Sequence, residues 1–188
     1  MRRLSTFAFL GLMATTLGAQ QPPPPGGQAP QQPRPPVPLE TALQNQHRSI
    51  RGFLAKGAEM MPEEHYTFKP TEAQRTFGAL VGHIAQANFG SCAALLGEPN
   101  PVQGKRLEQE LKTKADLVKA LNDSLALCDR AYAATTAANV TEMITTGPAT
   151  SSRGGRISGN IAHNNESYGT MVVYLRLKGL VPPSSEPR

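Results

Sequence analysis

The chain has no tryptophan, and only four tyrosines and six phenylalanines among its 188 residues. So few rings leave little to stack on nucleobases. The lysines and arginines are scattered among acids rather than gathered into a stripe, so a net charge of +5 does not point to a nucleic-acid partner. No segment alternates polar and apolar residues with the period of a half-buried strand. Ser124 and Ser158 lack a base partner, so nothing signals a nucleophilic triad. Cysteine is nearly absent, and Cys92 and Cys128 are the only pair available.

What is present begins with an export signal. Arg2 and Arg3 form a basic start, residues 7–13 an apolar core, and Gly18 and Ala19 a small-residue cleavage site. The apolar run is too short to span a bilayer, so a cleaved leader over 1–19 and a periplasmic or secreted protein are expected, with no membrane span after cleavage. Residues 20–38 are rich in proline and glutamine and almost without charge, which is the composition of an extended tether. The domain is expected over 39–185.

Within it, apolar residues recur three or four apart in four stretches. The first, 39–61, carries Leu43, Ile50, Phe53 and Leu54 and stops at Pro62. The second, from about 72 to 96, carries Phe77, Leu80, Val81 and Ile84 and is closed by Gly97. The third begins after Thr113, with Asp116 at the N3 position, and carries Leu117, Leu121, Leu125 and Cys128 to about 134. The fourth starts near Ser151 or Gly155 and carries Ile157, Ile161, Tyr168, Met171 and Leu175 until Gly179, Pro182 and Pro183 end it. Four amphipathic helices of this length predict an all-α four-helix bundle.

The cysteines speak to direction. If the third helix ran antiparallel to the second, Cys92 and Cys128 would differ in height by roughly 15 Å, and a disulfide needs Cα atoms within about 7 Å. Run parallel, the two helices place them within roughly 6 Å, a mismatch that a small stagger absorbs. The break at 97–112 is long enough for the crossover a parallel pair requires, since about 16 extended residues span about 50 Å. In an oxidising compartment the bridge is favoured over two free thiols.

The segments LVGHIAQAN (80–88) and HNNESYG (163–169), with FLAKGAEMMPEEHYTFKP before them and the helical repeats between, resemble the DinB-like family in its exported form. The similarity covers nearly all of 39–185. It implies a bundle of up-down-down-up topology with helices 2 and 3 parallel. It also implies a divalent metal, nickel or zinc, held by one histidine in the middle of the second helix and an H-x-x-x-H pair on the fourth. Characterised relatives include thiol-dependent transferases and isomerases.

Carried over, His83 takes the second-helix position and His163 the first of the fourth-helix pair. Ser167 stands where the other histidine would be. A serine hydroxyl is a poor ligand for either ion, so the i, i+4 chelate is broken. His47 is the best remaining supplier, because counting from helix starts puts His47, His83 and His163 at one height; Glu166 is the other. Asn164, Ser167 and Tyr168 are the polar groups beside them, and Arg75, Arg153 and Arg156 the cations available to an anionic substrate. Two readings stay open. One is a metal-dependent hydrolase or thiol-dependent transferase with an incomplete triad; the other is a non-catalytic secreted binding or interaction module with hydrogen-bonded core histidines. A small molecule or thiol is the expected partner in the first, and a homodimer is compatible with either.

Overall fold

A computed structural model describes residues 35–146 and 148–187. The export signal at 1–19 and most of the tether, to residue 34, lie outside the described residues. Among the described residues there are five α-helices and one two-stranded hairpin. In order these are α1 (Leu39–Met60), α2 (Phe77–Leu96), α3 (Leu107–Glu110), α4 (Lys114–Ala133), β1 (Met143–Thr146), β2 (Ala149–Ser152) and α5 (Arg153–Leu177). The molecule is thus mostly helical.

α1 begins directly after Pro38 and ends where Met61 turns extended (φ −67°, ψ 123°), because Pro62 excludes the helical region for the residue before it. α2 starts later than the apolar spacing suggests, at Phe77 rather than near residue 72. Its first amide groups are satisfied from outside the helix. The Thr76 hydroxyl accepts from Ala79 N at 3.1 Å, while Phe77 N and Gly78 N donate to the carbonyls of Phe68 and Tyr66, both at 2.8 Å. With these loop carbonyls as caps, the preceding turn has no need to be helical. Gly97 (φ 69°) closes α2, and Glu98 N returns to Ala93 O at 3.0 Å in the left-handed cap expected of glycine.

Thr113 caps α4 as its position suggests, accepting from Asp116 N at 3.1 Å. The Asp116 carboxylate does not reach back to the backbone; it accepts the Thr113 hydroxyl at 2.7 Å, as its short side chain dictates. Ser152 caps α5 through Gly155 N, and beyond α5 Gly179 (φ 74°) lets Leu180 N bond Leu175 O at 3.0 Å.

The hairpin corrects the expectation of a purely helical chain. Met143 pairs with Ser152 and Thr146 with Ala149, and the Thr145 and Thr150 hydroxyls meet at 3.0 Å. Only Ile144 packs, and only partly, against the smaller apolar cluster, so no alternation marked the strands in the sequence.

Two apolar clusters fill the interior. The larger holds Leu54, Phe77, Ile84, Leu121, Leu125, Met171 and Leu175. The smaller gathers Leu43, Leu95, Tyr132, Ile157 and Ile161 around Cys92 and Cys128. Those two cysteines are joined in a disulfide with Cα atoms 5.0 Å apart. Between the clusters lies a buried amide layer, in which Asn88 Oδ1 accepts from Asn160 Nδ2 at 2.9 Å and Asn164 Nδ2 at 3.0 Å. α2 is long and apolar enough to cross a membrane, a property it shares with core helices whose sides are covered by neighbours.

Candidate functional site

α2 and α5 face each other along one side of the molecule, and each contributes one imidazole to the seam. His83 Nε2 and His163 Nε2 lie 3.1 Å apart. Behind His83, on its other nitrogen, Glu108 Oε2 stands 3.9 Å from Nδ1, and the same oxygen accepts from Arg75 Nε at 2.9 Å. The carboxylate is therefore held by an arginine and turned toward a histidine.

Glu108 reaches this place because α3 lies directly on α2. Gly82, next to His83, has no side chain, and a Cβ there would sit 2.9 Å from both the Cα and the N of Glu108. The amide of Leu107 is fastened to α2 by Gln86 Oε1 at 2.9 Å, and the Leu107 side chain is buried. The loop at 97–112 thus does more than connect: it delivers an acid to the histidine pair.

The pair opens onto a cavity of about 610 Å³ bordered by Arg75, Glu108, Glu166, Ser167 and Tyr174. The Tyr174 hydroxyl donates to Arg75 O at 2.7 Å and so helps fix that arginine's backbone. Burial holds the His83 pKa below the ordinary 6.5. Arg75 and His163 push it the same way, and Glu108 and Glu166 oppose them. His83 is accordingly neutral at neutral pH and carries one nitrogen lone pair, able to accept a proton or bind an ion. His163 Nδ1 is shut off from solvent with no hydrogen-bond partner.

His47 is not at this site, which corrects its placement as third ligand. Its Nε2 bonds Asp129 Oδ1 at 2.9 Å and its ring stacks on Tyr132 at 4.1 Å, while Arg51 Nε holds the other carboxylate oxygen at 2.8 Å. Counting from helix ends fixes height but not the side of the helix, and His47 faces α4. Burial lowers its pKa as well, more than the hydrogen bond it donates to Asp129 raises it.

Of the other predicted residues, Ser167 and Glu166 line the cavity. Asn164 belongs to the buried amide layer instead. Tyr168 donates to Ser184 Oγ at 3.0 Å and stacks on Phe53, away from the pair. Glu108 was not foreseen; a glycine beside the histidine, in the middle of an otherwise well-formed helix, was its only trace.

Two imidazoles bound to one zinc or nickel ion at about 2.0–2.1 Å, with an angle between about 90° and 110°, have nitrogens about 2.9–3.4 Å apart. The spacing of His83 and His163 falls in that window, and Glu108 stands 3.9 Å from His83 Nδ1, near enough to act on it by charge but beyond hydrogen-bond reach. Among the described residues, however, no group of three or more His, Cys, Asp or Glu converges. The donors fit an ion held at two positions and left open at the rest, not a closed cage.

Residues 46–171 match the profile of the DinB superfamily. Among the solved structures that resemble the chain are two DinB-like proteins from Bacillus. A DinB-like protein from Bacillus cereus ATCC 10987 has TM-score 0.64 and 15% identity, covering 75% of this chain and 93% of its own. A DinB-like protein, YjoA, from Bacillus subtilis has TM-score 0.62 and 20% identity, covering 78% of this chain and 99% of its own. At these identities the likeness is one of fold. Among curated proteins no match was found.

Proposed function

Because this chain belongs to the DinB superfamily, we propose that it is an exported, small-molecule-directed member in which His83 and His163 hold a divalent cation, zinc or nickel, with the remaining positions left to water or substrate. The observation that carries this reading is the 3.1 Å approach of the two Nε2 atoms at the edge of a polar cavity. When bound, such an ion acts as a Lewis acid or lowers the pKa of a water or thiol, which suits hydrolysis or thiol transfer.

The chain's own residues do the rest. Arg75 fixes Glu108, whose negative charge 3.9 Å from Nδ1 favours the Nδ1–H tautomer of His83, the one that leaves the Nε2 lone pair toward the seam. Ser167, 6% exposed, is one turn beyond His163 and offers a hydroxyl to a bound ligand rather than a metal bond. Glu166 brings a carboxylate to the cavity mouth, where it can take a proton from an entering water or thiol.

The up-down-down-up topology, with α2 and α4 parallel, belongs to the same proposal. It is supported by two contacts that rise together along both helices: Gly78 against Leu117, and Cys92 bonded to Cys128. Export is supported by the leader-like first 19 residues and by a disulfide that an oxidising compartment preserves.

A second reading is favoured by Ser167 itself. With no third donor, the pair is a neutral histidine–histidine hydrogen bond in a ligand-binding module without a metal. Elemental analysis of untagged protein, dialysed after loading with zinc or nickel, separates the two. About one equivalent per chain, lost in both His83→Ala and His163→Ala, supports the first reading. Protein that retains no ion at saturating metal removes it.

A further inference from the structure

His163 borders two cavities. One is the pocket described above; the other, of about 320 Å³, lies farther toward the start of α5 and is bordered by Ser91 of α2, Ser151 of β2, and Arg156, Gly159 and Asn160 of α5. A Cβ at Gly159 would meet nothing within 4 Å, so the space above that turn of the helix is open.

Arg156 distinguishes this second cavity. Of the cations singled out in the sequence, Arg75 is matched to Glu108, and Arg153 gives Nη1 to Leu95 O at 2.6 Å and Nη2 to Glu142 at 3.1 Å. Arg156 has no ion pair or side-chain hydrogen bond among the described residues; its Nε is buried without a partner, as is that of Arg153, but Arg153 has both Nη groups committed. The Ser91 and Ser151 hydroxyls beside it are likewise uncommitted among the described residues. A guanidinium N–H withdrawn from water and left unpaired is costly, and it is the group an incoming carboxylate or phosphate satisfies best.

We propose that the two cavities form one ligand groove, in which Arg156, with Ser91 and Ser151, binds the anionic end of a small molecule whose reacting end lies at His83 and His163. This rests on the reading of the histidine seam as the reactive centre. Arg156 and His163 are seven residues apart on α5, roughly 10 Å along the helix. The substrate class is therefore a carboxylate- or phosphate-bearing compound of about dipeptide length or less.

The test uses chelator-treated protein, so that anion binding is read apart from any metal. N-acetylglycine and inorganic phosphate are titrated while the Arg Nε–H resonances are followed by NMR, with N-acetylglycinamide as the neutral control. Both anions are expected to shift the Arg156 signal and to compete with each other, and the tighter names the anionic group. The amide should not bind. Arg156→Gln should weaken binding at least about tenfold, the range for a charge-assisted bond, while Arg156→Lys keeps part of it. Should Arg156→Gln not fold, the affinity of the lysine variant supplies the comparison.

Unchanged affinity in a folded Arg156 variant, or equal binding of the amide, overturns the proposal. In His83→Ala, anion binding should persist even though ion binding is lost. Anion binding without ion retention would leave this subsite standing and remove the metal reading; the reverse would do the opposite.

Discussion

Replacing Gly82 by alanine puts a methyl carbon 2.9 Å from the Cα and N of Glu108 and 3.1 Å from the carbonyl carbon of Leu107. All three are backbone atoms, so no side chain can swing aside. Either α3 recedes by several tenths of an ångström or α2 deforms. Overpacking of this kind costs about 1–3 kcal/mol, and alanine returns about 1 kcal/mol through its better helix propensity. The net expectation is a destabilisation of about 0–2 kcal/mol, and at about 2–4 °C per kcal/mol for a domain of this size, Tm should fall by at most about 8 °C. Stability alone could be mimicked by any crowded glycine. The sharper readout is His83, whose pKa is raised by Glu108 against the larger effect of burial. When α3 moves back, that support weakens and the His83 pKa should drop further, measured by NMR titration of the imidazole nitrogens. A Gly82→Ala protein with parental Tm and an unmoved His83 titration would mean that α3 does not rest on α2 at this point, and Glu108 would lose its place in the site.

Three further outcomes are expected. Opening the Cys92–Cys128 bridge, which encloses a separation of 36 residues, should cost about 4 kcal/mol on the loop-entropy relation; a loss under about 1 kcal/mol in the double serine variant, by denaturant titration, would count against the bridge as a constraint. Ser167→His should raise zinc or nickel affinity steeply in a competition assay with a colorimetric chelator, because an i, i+4 pair shares one helix face; unchanged affinity would show that position 167 does not point at the seam. Finally, both His83 and His47 have folded pKa values held below 6.5, so their neutral forms stabilise the fold fully above that pH. That contribution should be lost as pH falls from 6.5 through the folded values, and His83→Gln should flatten part of the slope. A stability profile level between pH 7 and 5 would refute both assignments.

Helix positions were legible because their signals are local. Pro62, Gly97, Thr113 and Gly179 stop or start helices by their own backbone chemistry, and the structure ends or begins its helices within a residue or two of each. The start of α2 was not legible, since what sets it is a pair of carbonyls at Tyr66 and Phe68 that become available only when the loop folds back. The hairpin was missed for want of a buried face. The cysteine pairing was legible because the sequence holds only one pair and an oxidising compartment favours a bridge over two free thiols.

The site divides along the same line. His83 and His163 came from motifs, and the structure brings them together. His47 failed because height was the only coordinate that counting could supply; which way a helix turns its side chains about its axis is decided by packing. At His47 that decision is made by Asp129, Arg51 and the face of Tyr132, which together take up both the ring's hydrogen bond and its surface. Moving His47 to the seam would leave Asp129 facing Arg51 alone and Tyr132 without its stacking partner. Under the proposed metal reading, the carboxylates that border the same cavity as the histidine pair are Glu108 and Glu166, and the ligand itself is the other source of a third donor. Were the ligand to supply that donor, its affinity and that of the ion would rise by the same factor, whereas anion binding at Arg156 alone would stay independent of the ion.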